Sequence, residues 1–220
     1  MKADLHVHSC YSEDGHSTPE EILAKAKELG FGCIAITDHN SFAAFEKVKD
    51  LTDIIFVPGE EVGSKSGHII ALGIEKEIPK HLPIPETIDL IHEAGGIAIA
   101  AHPYRWWTGL GERNTLRYAD RFDGIEALNA RSTKRHNEKS FKLATENGRC
   151  ITAGSDSHRP HSIGEGYVEL PDDCRTWQDV IQAIKEGKVK AISSNRKKIH
   201  SLRYGIRSIF NWCKRGFHDM

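Results

Sequence analysis

Histidine is the commonest protein metal ligand, and thirteen occur among these 220 residues. Six of them recur where short apolar runs end. Asp4-Leu5-His6-Val7-His8-Ser9 places two histidines two residues apart, so on a strand both point to one side. Thr37-Asp38-His39-Asn40 closes a second run, Gly59-Glu60-Glu61 a third, and His68 opens a fourth. His102-Pro103 ends a fifth, and Gly154-Ser155-Asp156-Ser157-His158 repeats the spacing of two. A polar residue just after an apolar strand lies at the carboxyl edge of a parallel sheet, where such folds place their chemistry. His6, His8, His39, His68, His102 and His158, with at least Glu61 and Asp156, are therefore expected to converge on one mouth. Neutral imidazoles and anions gathered away from water need cations to hold them together. His16, His81, His92, His136, His161, His200 and His218 lack such placement and read as ordinary surface or core residues.

The elements that must position these side chains alternate. Leu5 to Val7 reads as a strand, and Thr18-Pro19-Glu20-Glu21 opens a helix with a capping box and Pro in its first turn. Ile22, Leu23, Ala26 and Leu29 form that helix's apolar face, and Gly30 stops it. Strands are expected at Cys33 to Ile36, Ile54 to Val57, His68 to Gly73 (paired with the segment after Glu61), Ile97 to Ala101, Gly124 to Leu128, Ile151 to Ala153 and Val189 to Ile192. Helices are expected near Phe42 to Lys49, Pro85 to Ala94, Lys134 to Asn147 and Trp177 to Glu186. This alternation argues for an α/β parallel arrangement. About seven units fit the length, fewer than a complete eight-fold barrel of about 250 residues needs. A small or incomplete barrel and an open doubly wound sheet both satisfy the pattern.

Composition narrows the class. A hydrophobic fraction of 39% and a charged fraction of 28% suit a globular domain. No apolar run reaches the roughly 18 residues of a membrane span. The start shows no secretory h-region, and five cysteines without a Cys-x-x-Cys pair read as a reduced, cytoplasmic protein. The formal net charge of −1 hides an asymmetry: nine Lys/Arg and no Asp/Glu lie between Gly187 and His218, which leaves an acidic body.

Taken in order and context, Asp-Leu-His-Val-His-Ser, Thr-Asp-His-Asn, Gly-Glu-Glu, His-Ile-Ile-Ala-Leu-Gly, Ala-His-Pro and Gly-Ser-Asp-Ser-His resemble the motifs of the polymerase and histidinol phosphatase (PHP) domain family, over roughly residues 1 to 192. The resemblance implies a distorted seven-stranded (βα)7 TIM-like barrel, with two or three divalent metals at the carboxyl ends of its strands. It also implies hydrolysis of phosphate esters. Carried over residue by residue, it makes His6, His8, Glu61 and Asp156 ligands of a first metal. Glu61 would bridge to a second, completed by His68 and His102. Asp14, His39 and His158 would hold a third. Catalytic roles then fall on Glu61, Asp156 and His158. Glu60 is left as a supporting or surface group.

Such a site would neutralise a phosphate ester and activate a metal-bridging hydroxide for in-line attack, since metal-bound water loses its proton near pH 7. No Asp-x-Asp, Cys-x5-Arg or Gly-x-Ser-x-Gly nucleophile motif offers another route. Mixed His and carboxylate ligands suit Zn, Mn or Fe better than Ca or Mg. Arg131, Arg105 and Arg159 follow strand ends and are candidates to fork onto the phosphate. Trp106-Trp107 suits either stacking of a base or sugar or, more commonly, capping of a loop. The domain is expected over residues 1–194, followed by a basic amphipathic tail over 195–220. There Leu202, Ile206, Ile209 and Phe210 share one helical face. That tail reads as a docked helix, with nucleic-acid contact or a peripheral membrane helix as alternatives. The expected partner is a phosphorylated small molecule or nucleotide. An exonuclease acting on DNA or RNA ends and a non-catalytic metal-stabilised module are the competing readings, with a generic amidohydrolase ranked lower.

Overall fold

The computed structural model describes residues 1–51 and 53–194. The tail expected over 195–220 lies outside the described residues.

Strand β1 (Lys2–Val7) leads to α1 (Pro19–Glu28), capped by Thr18 and Glu21 in a reciprocal capping box. Then follow β2 (Cys33–Ile36), α2 (Ala43–Val48) and β3 (Ile55–Val57). Pro58 alone separates β3 from β4 (Gly59–Ser64), which turns within two residues into β5 (Gly67–Leu72). The remainder runs α3 (Ile84–Glu93), β6 (Ile97–Ala100), α4 (Gly111–Arg117), β7 (Gly124–Asn129), α5 (Lys134–Glu146), β8 (Cys150–Gly154), β9 (Gly166–Glu169), α6 (Trp177–Lys185) and β10 (Lys190–Ser193).

These strands do not close into the expected seven-stranded barrel. They form two mixed five-stranded sheets, ordered β10-β9-β1-β2-β3 and β4-β5-β6-β7-β8. The physical reason lies in the connections. A parallel pair needs a crossover of roughly a dozen residues or more, and the two residues between β4 and β5 permit only an antiparallel hairpin. β5 is also antiparallel to β6, and β9 is antiparallel to both β1 and β10. Only β1–β2–β3 and β6–β7–β8 pair in parallel. The sheets meet through isolated bridges, Val7 with Ser157 and His39 with Glu61, and not through continuous ladders. β8 comes so close to β1 there that a Cβ on Gly154 would lie 2.2 Å from His6 Cβ.

The apolar core has three layers. Leu5, Ala35, Val57, Ile70, Leu72, Ile97 and Ile99 fill the space between the sheets, closed by Val180, Ile181 and Ile184 of α6. α3 and α5 cover the second sheet, and α1 and α2 cover the first. Gly73 packs on Ile181 and Trp177, so α6 sits at the end of β5 opposite to His68. The register of β1 on β2 shifts between Asp4 and Val7. Leu5 thus belongs to the inter-sheet core while Val7 joins the α1 side, and His6 and His8 turn toward the second sheet. A matching shift falls between Glu126 and Leu128 on β7. Such bulges re-aim side chains, and they recur beside active sites.

Candidate metal centre

The open end of the two sheets brings together all nine residues named as ligands above. Glu61, from β4, is the hub. Its Oε1 lies 2.9 Å from His68 Nδ1 and 2.8 Å from His102 Nε2. Its Oε2 lies 3.3 Å from both His6 Nε2 and His8 Nε2, and 3.1 Å from His39 Nδ1. Asp156 Oδ1 stands 3.5 Å from His8 Nε2 and 4.0 Å from His6 Nε2. Asp14 Oδ2 is 2.9 Å from His158 Nε2, and its Oδ1 is 3.8 Å from His39 Nε2. Among the described residues, four overlapping triplets have ligand atoms within 4.8 Å of one another: His6/His8/Glu61, His6/His102/Asp156, His39/Glu61/His68 and His8/His39/His158.

Hydrogen bonds behind the cluster set the tautomers. His6 Nδ1 is 2.8 Å from Glu126 Oε1, an acceptor, so this nitrogen carries the proton and Nε2 presents its lone pair. His8 Nδ1 faces Ser12 Oγ at 3.1 Å, while that hydroxyl donates to Asp38 Oδ1 at 2.8 Å. His8 Nε2 is therefore unprotonated as well. With the His6 ring neutral, the two bare nitrogens face each other at 3.0 Å, with Glu61 Oε2 beside both. Acceptors packed so closely repel unless a cation lies among them. A tetrahedral ion with bonds of about 2.0–2.1 Å needs donors about 3.3 Å apart, which these separations match. Asp14 Oδ1 and His102 Nδ1 are also buried with no hydrogen-bond partner. The residues present fit divalent metal.

Electrostatics point the same way. Burial would raise the Glu61 carboxyl, yet His68, His6 and His39 hold it well below the usual carboxylate range. Burial opposes ionisation of Asp156 too, but Arg105 and Arg131 hold it well below that range. Burial pushes the His39 and His102 imidazoles down to about 4, and depresses His8 and His158 as well. These are the states in which carboxylates and imidazoles bind metals. His6 is the exception. Burial resists charge there, but Glu126, Glu61 and Asp156 raise its affinity for a proton well above the ordinary value. The acids demand positive charge at that point, which a proton on Nε2 supplies in the metal-free chain and a metal ion would supply in its place.

Backbone strain concentrates here. His102 and Asp156 hold φ of +25° and +54°, and Asn40, next to His39, holds +51°. Non-glycine residues in this region are uncommon and cluster at functional sites.

Of the three arginines, Arg105 Nη2 lies 2.5 Å from Asp156 Oδ2, and Arg131 Nη1 lies 2.9 Å from Asp156 Oδ1 and 3.0 Å from His158 Nδ1. Arg159 bonds Ser157 and Ser162 through its backbone. Glu126 is absent from the motif reading. Both of its oxygens work: Oε1 on His6, and Oε2 accepting the His102 N–H at 2.8 Å and Asn129 Nδ2 at 3.1 Å. An acid inside the apolar run Gly-Ile-Glu-Ala-Leu was the available signal. Asp38 is similar: it accepts the N–H of Ser9 at 2.6 Å and the hydroxyl of Ser12 that steadies His8.

The PHP domain model matches residues 4–82, and the model of the PHP-associated region matches residues 134–189. An uncharacterized protein of Methanocaldococcus jannaschii is 40% identical over 144 residues, 59% of this chain and 82% of that protein. The phosphoribosyl 1,2-cyclic phosphate 1,2-diphosphodiesterase of Eggerthella lenta is 34% identical over 88 residues, 36% of this chain and 33% of that enzyme. Among solved structures, a two-domain protein from Bacteroides vulgatus that contains a predicted PHP-like metal-dependent phosphoesterase aligns with a TM-score of 0.72 at 18% identity, over 88% of this chain and 64% of that one. The two matched ranges include His6, His8, Asp14, His39, Glu61, His68, Asp156 and His158, and the chain belongs to the PHP domain family.

Proposed function

We propose that this chain hydrolyses a phosphate mono- or diester of a small metabolite or nucleotide, using two or three divalent ions drawn from Zn, Mn and Fe. The observation that carries the reading is the close convergence of His6 Nε2, His8 Nε2, Glu61 Oε2 and Asp156 Oδ1, two imidazole nitrogens and two carboxylate oxygens at the spacing of a metal's ligand set. When bound, the ions supply charge neutralisation of the phosphate and a water acidic enough to ionise near pH 7.

The chain's own residues do the rest. Glu61 offers one oxygen to each half of the cluster and could therefore serve two ions. Asp14, His39 and His158 would hold a further ion, Asp14 and His39 being the partly exposed members of the cluster. Arg105 and Arg131 keep Asp156 ionised, and their forked N–H groups, half-exposed at the mouth, suit a phosphate's oxygens.

The test is metal analysis of the purified protein followed by a phosphate-release screen with Mn²⁺ and Zn²⁺. Sugar phosphates, histidinol phosphate, nucleotides and short oligonucleotides are set side by side. Turnover that disappears on chelation and returns with metal is the expected result. A protein that binds no transition ion, or that is inert toward every ester when loaded, refutes the reading. Release from oligonucleotide ends alone moves the assignment to the exonuclease alternative.

A further inference from the structure

Trp106 and Trp107 are 72% and 65% exposed, on the loop that follows His102. Their rings meet edge to face, 5.6 Å apart at 85°. Most of the surface of both rings is therefore open to solvent.

The segment that presents them is built onto the metal cluster from both sides. Immediately before the pair, Arg105 Nη2 reaches Asp156 Oδ2 at 2.5 Å. Immediately after it, the Thr108 carbonyl accepts the N–H of His68 at 2.9 Å. Within the loop, the Arg105 N–H donates to the His102 carbonyl at 2.9 Å, Thr108 N–H to Trp106 at 2.9 Å and Gly109 N–H to Arg105 at 3.0 Å. Gly109 cannot be replaced without movement, because a Cβ there would lie 2.7 Å from the carbonyl oxygens of His102, Pro103 and Arg105. Trp107 holds a left-handed φ of +66°, unfavourable for so bulky a residue. A tightly bonded loop with a strained residue therefore holds two large apolar rings out in water, beside a charged cluster.

We propose that Trp106 and Trp107 form a stacking corner for a nucleobase, so that the ester cleaved at the cluster is carried by a nucleotide or by a nucleic-acid end. The inference rests on the phosphoesterase reading for the position of the phosphate. Because Arg105 and Thr108 tie both ends of the tryptophan pair to Asp156 and His68, a phosphate bound between the cluster and Arg105 would have the rest of its molecule within reach of this loop. Two indoles at right angles present a flat face and an edge, which suit a planar base stacked on one ring and abutting the other. Stacking of this kind tolerates any base, since every base has a π-face. Substrate choice is thereby set by the loop, while the metals set the reaction.

The test compares adenosine 5′-monophosphate with ribose 5-phosphate on the metal-loaded full chain, two esters that differ by the base. The expected kcat/KM ratio favours the nucleotide by roughly tenfold or more, the scale of one base stacked on an aromatic side chain. A Trp106→Ala, Trp107→Ala double variant collapses that ratio toward one, mainly through KM. The matching double Phe variant restores it, which a merely structural role for the loop would not do. Quenching of tryptophan emission by the nucleotide but not by ribose 5-phosphate, present in the wild type and lost in the Ala variant that keeps Trp177 and Trp212, reads the same site without turnover. If neither ester is hydrolysed while base-dependent quenching persists, the stacking corner stands and the phosphoesterase reading falls. A wild-type ratio near one, a ratio that the Ala variant keeps, or quenching shared equally by both compounds overturns the proposal. A 5′-phosphorylated single-stranded oligonucleotide, run beside the mononucleotide, tells which source of the base is preferred.

Discussion

Glu126→Gln is a near-isosteric change with a calculable consequence. In the native protein the carboxylate accepts three donors: His6 Nδ1–H, His102 N–H and Asn129 Nδ2–H. A glutamine amide offers one accepting oxygen and one donating nitrogen. If its oxygen faces His102 and Asn129, its NH2 faces His6 Nδ1 and drives the imidazole proton to Nε2. That nitrogen is then blocked at the atom lying 3.3 Å from Glu61 Oε2. If the oxygen faces His6 instead, the NH2 opposes two buried donors, one of them a backbone N–H in a strained conformation. Each donor left unpaired costs about 1–3 kcal/mol, and loss of the group orienting a ligating histidine weakens metal binding about 10–100-fold. The tenfold step corresponds to about 1.4 kcal/mol, so the two sources agree in scale. Titration calorimetry of chelator-stripped protein with Zn²⁺ or Mn²⁺, together with urea unfolding of the stripped form, reads both. A variant that binds the same number of ions at native affinity, with an unchanged unfolding midpoint, refutes the tautomer argument.

Two further outcomes follow from neighbouring acids. Glu61→Gln replaces one of the two carboxylate oxygens by a donating NH2 and removes the negative charge that both halves of the cluster share. Loss of about 4 kcal/mol of transition-state stabilisation slows turnover about a thousandfold, alongside a fall in bound metal measured after desalting; near-normal metal-dependent turnover would contradict the hub role. Glu60 is buried with Oε1 on the Ile78 N–H at 2.6 Å, and burial pushes its pKa up from 4.5 to about 8. The folded state therefore holds a proton that the unfolded state has released between those values, so stability falls as pH rises from 4.5 to about 8, by up to about 1.4 kcal/mol per pH unit. In urea titrations at pH 5, 7 and 9, Glu60→Gln is expected to gain steadily on the wild type as pH rises. Parallel curves would show that Glu60 ionises freely.

What the sequence determined by itself was local. The Thr18 capping box, the run Cys33–Ile36 and the arrival of histidines just after apolar runs rest on short-range propensity and periodicity, and each sits where the pattern implies. β9, four residues opening on glycine, and α4, Gly-Glu-Arg-Asn-Thr-Leu-Arg with no apolar stripe, lack those signals and were not legible. Sheet architecture was decided by tertiary structure. The β4–β5 hairpin and the antiparallel entry of β9 convert an expected parallel barrel into two mixed sheets, because strand direction depends on chain connections and on which edges remain to be paired. The bulges in β1 and β7 likewise turn His6 and Glu126 toward each other across 120 positions of sequence. Residue type announced that metal chemistry was available. The tautomers, the arginines laid on Asp156 and the exposed indoles depend on distances between segments remote in the chain, which folding alone sets.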